Sequence, residues 1–128
     1  MAKLTEATDK LKALKGKYRE MGGAEAIQKQ HDDKKLTARE RVALLFDAGS
    51  FMEYGILGHH QSVLPDMRDK VTPADGVVCG VGCIEGRSVC VIAYDYTVMA
   101  GTMGEVSERK TSRMRELALR DRMPIVWL

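Results

Sequence analysis

The segment Ala93–Gly104, AYDYTVMAGTMG, carries the residues of this chain that are best suited to chemistry. An apolar strand pattern leads into Asp95, and the small residues Ala100, Gly101 and Gly104 follow before a charged helical pattern begins. Glycine permits a left-handed turn, or the close approach of a ligand to the backbone. We expect the first amides of the following helix to be unpaired, at the positive end of the helix dipole. The segment therefore predicts backbone donors directed at an anion or a polarised carbonyl group.

Lys110 and Asp95 are the ionisable residues of interest beside this turn. Lys110 falls within an apolar helical stripe, so either its alkyl stem packs there while the ammonium extends into water, or the ammonium points at an acidic neighbour or a ligand phosphate. Asp95 ends a buried strand pattern, where an unpaired carboxylate is costly. It either caps the next turn through backbone amides or pairs with a cation such as Lys110, and both structural roles are favoured over acid–base catalysis. The stripe consists of Val106, Lys110, Met114 and Leu117.

The histidines and cysteines show no spacing typical of a metal site and no Ser-His-Asp or Cys-His arrangement. The cysteines fall in β-like segments, where a reduced thiol behaves as a small apolar residue, and we expect them in the core. These residues are His31, His59, His60, Cys79, Cys83 and Cys90.

Length and composition predict one globular unit or a part of one. The chain has 128 residues, 45% of them hydrophobic and 30% charged, and its net charge of +2 is too small to indicate a nucleic-acid or anionic-membrane partner. No apolar run is long enough to cross a bilayer and the N-terminus is not signal-like, so we expect a cytoplasmic protein, or a matrix protein of mitochondria in a eukaryote. Because the sequence ends on the apolar run Ile125–Leu128, we expect it to be the N-terminal piece of a longer protein.

The order of the elements predicts an α/β fold with a crossover connection. A first helix places Leu4, Ala7, Leu11, Leu14, Tyr18 and Met21 on one stripe, and it either covers a core or packs against another chain, simple packing being favoured over a coiled coil. The later elements are a helix from Ala24 to about His31, a helix that follows the capping box Thr37–Glu40 and ends at Gly49, a strand Phe51–Tyr54, a long loop from Gly55 to Pro73, strands from Val77 to Ile84 and from Val89 to Tyr94, a helix from about Gly104 to Arg122, and a strand from Ile125.

Glu85-Gly86 lies between the two long strand patterns and predicts a tight hairpin. A two-residue turn and a loop of three or four residues with Gly86 left-handed are equally compatible with this pair.

Four segments follow one another along the chain: KLTARERVALLFDAGSFMEYG, TPADGVVCGVGCIEGR, AYDYTVMAGTMGE and MPIVWL. Taken in this order they resemble the carboxyltransferase subunits of biotin-dependent acyl-CoA carboxylases, which include the propionyl-CoA, methylcrotonyl-CoA and methylmalonyl-CoA carboxyltransferases. The resemblance extends from about Gly22 to Leu128. Any one of the segments alone would be a weak indication, but the four together are specific to this family. Within it, the chain carries Ala100-Gly101-Thr102 where members of the family usually have two glycines and a serine.

The resemblance implies a crotonase-like fold built from ββα units, with residues 1–36 as an N-terminal helical segment and residues 37–128 as the first part of the N-terminal carboxyltransferase domain. It implies transfer of a carboxyl group from carboxybiotin to the α-carbon of an acyl-CoA, with the enolate held by backbone amides. No catalytic residue is expected before Leu128, after which such proteins carry a glycine-rich oxyanion loop, so the fragment alone is expected to be inactive. The acyl-CoA site would be bordered by Ala100, Gly101, Thr102, Met103 and Gly104, with Lys110 nearby.

The resemblance also implies biotin carried by a partner subunit or domain, acyl-CoA as substrate, no metal, and self-association into a homo-oligomer. Two alternatives remain open. A related acyl-CoA decarboxylase would use the same site, and a non-enzymatic assembly module would use the first helix and the Gly55–Pro73 loop to bind partners.

Overall fold

The computed structural model describes residues 2–128, which form a four-stranded sheet with helices on both faces. The strands lie in the order β1-β2-β3-β4, with the first two pairings antiparallel and the last parallel. This order agrees with the predicted succession of strand, strand, helix and strand. The elements are α1 (Ala2–Arg19), α2 (Ala24–Asp32), α3 (Ala38–Leu45), β1 (Met52–Tyr54), β2 (Val77–Ile84), β3 (Arg87–Tyr94), α4 (Glu105–Asp121) and β4 (Ile125–Trp127).

The two faces of the sheet bury different sets of side chains because strand residues alternate between faces. One face packs against α4, and the other packs against α3 and the end of α1. The first cluster contains Val77, Cys79, Ile92, Met114 and Leu117, and the second contains Met21, Ala38, Val42, Phe46, Val78, Val91 and Ala93 with neighbouring side chains.

The hairpin between β2 and β3 has the two-residue turn, because Ile84 pairs directly with Arg87. Glu85 and Gly86 both have positive φ, at 49° and 77°. The carboxylate of Asp47 accepts both of their amides, at 3.0 and 2.9 Å. This contact explains how a glutamate is held in a left-handed conformation that usually favours asparagine, aspartate or glycine.

The third helix ends earlier than predicted, at Leu45 instead of Gly49. Phe46 turns to an extended conformation so that its ring packs in the core, and the Asp47 amide then donates to the carbonyl of Cys83 at 2.8 Å. The other predicted helices and strands are present, within one to three residues of their expected bounds. The predicted loop from Gly55 to Pro73 is also present, and the only helical element before Pro73 is a short 3₁₀ turn, Pro65–Met67.

The apolar stripe of α1 is mostly exposed, so the first three turns do not cover a core of this chain, and the alternative that they pack against another chain stays a prediction. Leu4, Leu11 and Leu14 all face solvent, and Leu4 is 72% exposed. Only the end of the stripe reaches the core, where Met21 is 6% exposed. None of the helices in the described part of the chain is long and apolar enough to span a membrane.

The capping box before α3 is present as predicted. The Thr37 hydroxyl accepts from the Glu40 amide at 3.3 Å, and the Glu40 carboxylate accepts from the Thr37 amide at 2.7 Å. His31 Nε2 lies 2.9 Å from the same carboxylate. The backbone hydrogen bond from Thr37, followed by the contact with His31, lowers the pKa of Glu40 below its ordinary value of 4.5.

We expect the charge of Glu40 to stabilise the protein above about pH 4.5 and to lose this effect as the pH falls further. A carboxylate whose pKa is lower in the folded state is stabilising only while it is ionised there. Thermal unfolding of the wild type and of Glu40→Gln should show a lower midpoint for the variant at pH 6 and a smaller difference at pH 3. An equal difference at both values would contradict this account.

Candidate functional site

The segment after β3 forms a left-handed turn at Met99, Ala100 and Gly101, whose φ angles are 49°, 54° and 75°. For a residue other than glycine, this conformation costs about 1–2 kcal/mol. Strained residues of this kind persist where the surrounding structure holds them, and they concentrate at functional sites. The turn predicted from its small residues is therefore present, and two of its three residues are not glycine.

Three amides in this turn and the two residues after it are unpaired. The amides of Gly101 and Thr102 donate to the carbonyls of Val98 and Met99, each at 3.0 Å. Those of Met99, Ala100 and Met103 make no hydrogen bond within residues 2–128, and all three residues are exposed. These three N–H groups are available to an acceptor from outside the chain.

Asp95 caps the turn and does not pair with Lys110. Its Oδ1 accepts from the backbone amide of Thr97 at 2.8 Å and from the Thr97 hydroxyl at 2.5 Å, which confirms the first of the two predicted roles. The Thr97 hydroxyl oxygen also accepts from the Gly22 amide at 3.1 Å. The turn is thus connected to the junction between α1 and α2.

A second left-handed turn lies beside the first, at Ala74, Asp75 and Gly76, with φ angles of 53°, 48° and 69°. Asp75 is buried, and its Oδ2 accepts from the amide of Ser107 at 2.7 Å. It therefore caps the N-terminus of α4, whose own N-cap residue is Gly104, and its negative charge suits the positive end of the helix dipole. The amide of Gly104 donates to the Ser107 hydroxyl, so the expectation that the first amides of this helix are unpaired is wrong for these two.

Lys110 points at backbone carbonyls. Its Nζ donates to the carbonyl of Ala74 at 2.6 Å and to that of Val77 at 2.5 Å, on either side of the second turn. Burial lowers the pKa of this ammonium, and the neighbouring Cys79, Glu53 and Asp75 oppose that effect. The interpretation that the ammonium extends into water is wrong, because the helix directs it at the turn.

A cavity of about 360 Å³ opens beside the first turn. Three segments line it: the loop after β1, the residues around the second turn, and the stretch that leads into α4. Its wall combines apolar side chains with a few polar groups, a composition typical of small-molecule sites. The lining includes Leu64, Met67, Asp75, Met99, Met103 and Gly104.

The structure brings only part of the predicted site together. Thr102, Met103 and Gly104 line the cavity, while Ala100 and Gly101 form the adjacent turn. Lys110 does not line it and contacts the second turn instead.

Sequence reasoning missed Asp75, Thr72 and His60, which also line the cavity. The Thr72 hydroxyl accepts from the His60 amide at 2.8 Å and donates to Asp75 Oδ1 at 3.2 Å. The only signal in the sequence was the segment TPADG, whose Pro-Ala-Asp-Gly run indicates a turn.

The cysteines take the structural role predicted for them. Cys79 and Cys90 are buried and Cys83 is half-buried. Burial raises the pKa of the Cys79 thiol to about 11, so the reactive thiolate is scarce at neutral pH. Within residues 2–128, no three His, Cys, Asp or Glu side chains are placed to hold a metal ion.

Residues 29–128 match the family model described as the carboxyl transferase domain. Over 104 residues, the chain is 41% identical to the biotin-dependent acetyl-/propionyl-coenzyme A carboxylase beta5 subunit of Mycobacterium tuberculosis, a match covering 81% of this chain and 19% of that protein. Over 126 residues, it is 39% identical to the methylmalonyl-CoA decarboxylase subunit alpha of Veillonella parvula, covering 98% of this chain and 25% of that protein.

A solved structure shows the same fold. The chain superposes on transcarboxylase 12S, a hexamer solved with methylmalonyl-coenzyme A and methylmalonic acid bound, with a TM-score of 0.93 and 37% identity. The match covers 96% of this chain and 24% of that one. The predicted α/β fold of crotonase-like carboxyltransferases is confirmed, and the chain spans about a fifth to a quarter of the length of these relatives.

Proposed function

Because the chain belongs to the carboxyl transferase domain family, we propose that it forms the acyl-CoA side of an enzyme that moves a carboxyl group from carboxybiotin to the α-carbon of an acyl-CoA. Two relatives support this proposal. One is named as a subunit of a biotin-dependent carboxylase, and the other is a transcarboxylase solved with methylmalonyl-coenzyme A bound. Biotin would be carried by a partner subunit or domain, and the enzyme would assemble as a homo-oligomer.

The observation that supports this role best is the set of unpaired amides at Met99, Ala100 and Met103, of which Met99 and Met103 belong to the cavity lining. Carboxyl transfer to an α-carbon passes through an enolate, in which negative charge develops on the thioester oxygen. Fixed N–H donors stabilise such charge without rearranging, which makes them effective in a site shielded from water. The residues from Ala100 to Gly104 would border the acyl-CoA, and Lys110 would support them through the neighbouring turn.

Decarboxylation is a second candidate, and the match to the methylmalonyl-CoA decarboxylase subunit over 98% of this chain favours it. A decarboxylase of this family would form the same enolate by transferring the carboxyl group of a malonyl-type thioester to biotin, which is the first reaction run in reverse. The same amides would serve both reactions, so the geometry of this site does not favour one over the other.

The test uses the full-length protein. We expect isothermal calorimetry to detect binding of propionyl-CoA, with competition by free CoA, and we expect the protein to carboxylate an acyl-CoA with its biotin-carrying partner. Transfer of the carboxyl group from methylmalonyl-CoA to free biotin, without carboxylation of an acyl-CoA, would identify the decarboxylase instead. Absence of binding to any CoA thioester would contradict both activities and favour an assembly module.

A further inference from the structure

Asp75 connects the separate segments that surround the cavity. Its Oδ2 accepts the Ser107 amide at 2.7 Å, and its Oδ1 accepts the Thr72 hydroxyl at 3.2 Å. Thr72 in turn accepts the amide of His60, which belongs to the loop on the opposite wall. One buried carboxylate thus joins the loop after β1, the second turn and the start of α4.

Lys110 makes the reciprocal contact, from α4 back to the turn that carries Asp75. Its ammonium holds the carbonyls of Ala74 and Val77, and it lies three residues after Ser107 on the same helix. The turn needs such support because Ala74 and Asp75 are both left-handed without being glycine. Two oppositely charged side chains therefore fix the turn and the helix end against each other.

We propose that Asp75 is a positioning residue of the acyl-CoA site, an inference that rests on the proposed function. By holding the amide of Ser107, it sets where α4 begins, and this fixes the backbone of Met103 and Gly104 at the cavity wall. Gly104 is packed so closely that a β-carbon there would lie 3.0 Å from Asp75 Oδ2. A movement of the carboxylate is therefore transmitted directly to the backbone that meets the ligand.

The charge of Asp75 matters as well as its oxygen atoms. A carboxylate that accepts from the first turn of a helix is stabilised by the helix dipole, and a charged acceptor binds an amide more strongly than a neutral one. Asp75→Asn keeps an acceptor of the same size and removes the charge. The variant therefore weakens the contact with Ser107 while leaving the volume of the buried side chain nearly unchanged.

The experiment measures the full-length enzyme with Asp75→Asn and, as matched control, Asp47→Asn. Asp47 also accepts two backbone amides at a turn, but it does so at the hairpin tip, away from the cavity. We expect Asp75→Asn to raise KM for the acyl-CoA about ten-fold, because the cavity wall at Gly104 shifts, and to lower kcat as well, because the Met103 amide shifts with it. Small displacements of positioning groups have effects of this order or larger. KM for the carboxyl donor should stay the same, and Asp47→Asn should alter neither constant.

A purely structural role gives a different result. Loss of folded enzyme lowers the apparent kcat and leaves both KM values unchanged, and that outcome would overturn the inference. Two further variants, Thr72→Val and Lys110→Met, remove other contacts of the same turn and should raise KM for the acyl-CoA in the same direction. Thr72→Val is nearly isosteric, so it provides the readout if Asp75→Asn does not fold.

The proposed function and this inference fail in distinguishable ways. A wild type that binds CoA thioesters while Asp75→Asn and Thr72→Val bind them equally well would overturn the positioning role alone. A wild type that binds no CoA thioester would overturn the proposed function, and the positioning role with it.

Discussion

Replacing Met103 with proline in the full-length enzyme is expected to lower kcat about 100-fold, because it removes the unpaired amide of a residue that lines the cavity. The loss of a single donor to a developing oxyanion typically has an effect of this size. The interaction forms mainly in the transition state, so kcat and kcat/KM should fall together while KM for the acyl-CoA changes little. Steady-state kinetics with a varied acyl-CoA concentration measures all three quantities.

The local backbone makes proline a suitable probe at this position. Thr102, which precedes it, has φ −63° and ψ 135°, a conformation that the residue before a proline readily adopts. Met103→Ala is the matched control, since it removes the side chain and keeps the N–H group. If both variants retained wild-type kcat, the amide of Met103 would have no part in the reaction.

Replacing Gly22 with alanine is expected to destabilise the folded protein by about 3 kcal/mol, at the upper end of the range for overpacked sites. A β-carbon at this position would overlap the backbone carbonyl of Thr97, which cannot move aside as a flexible side chain would. The substitution would also disturb the hydrogen bond from the Gly22 amide to the Thr97 hydroxyl. Chemical denaturation measures the change in the free energy of unfolding.

Gly16→Ala is the matched control for this prediction. Gly16 lies within α1, and a β-carbon there meets no other atom within 4 Å. Alanine is favoured over glycine inside a helix by about 1 kcal/mol, so this variant should be neutral or slightly stabilising. Equal destabilisation by the two variants would show that the effect does not come from the contact with Thr97.

The sequence was sufficient to predict the features that depend on neighbouring residues. The capping box of Thr37 and Glu40 acts over three positions, and the hairpin at Glu85-Gly86 lies between two apolar runs, so both follow from local patterns. The glycine-rich turn near residue 101 was predicted for the same reason. The family resemblance then supplied the overall fold, which local patterns alone do not determine.

Contacts between distant segments were not predictable in this way. Asp75 and Ser107 are 32 positions apart, and Lys110 and Ala74 are 36 apart, so no periodicity relates them. The left-handed conformation of Ala74 and Ala100 was also hidden, because alanine does not signal a positive φ. Members of the family usually carry glycine where this chain has Ala100. The structure gives the physical reason, because glycine adopts the φ of 54° found there without strain.

Other expectations remain predictions. The division of the chain at residue 36, the contact of Ala100–Gly104 with acyl-CoA, and the cellular location depend on measurements of the complete protein.

The unequal burial of the three thiols decides where a dye can be attached. Cys79 and Cys90 are closed off by the sheet and its helices, whereas Cys83 is half-buried near the tip of the β2–β3 hairpin. A maleimide fluorophore added to the folded protein should therefore couple at Cys83 among these three. Since β2 runs from Val77, two residues after Asp75 of the cavity wall, towards this tip, the dye would lie about 20 Å from a thioester bound in the cavity as proposed. That separation suits energy-transfer measurements with a labelled CoA derivative. The labelling requires no substitution of the residues that surround the cavity.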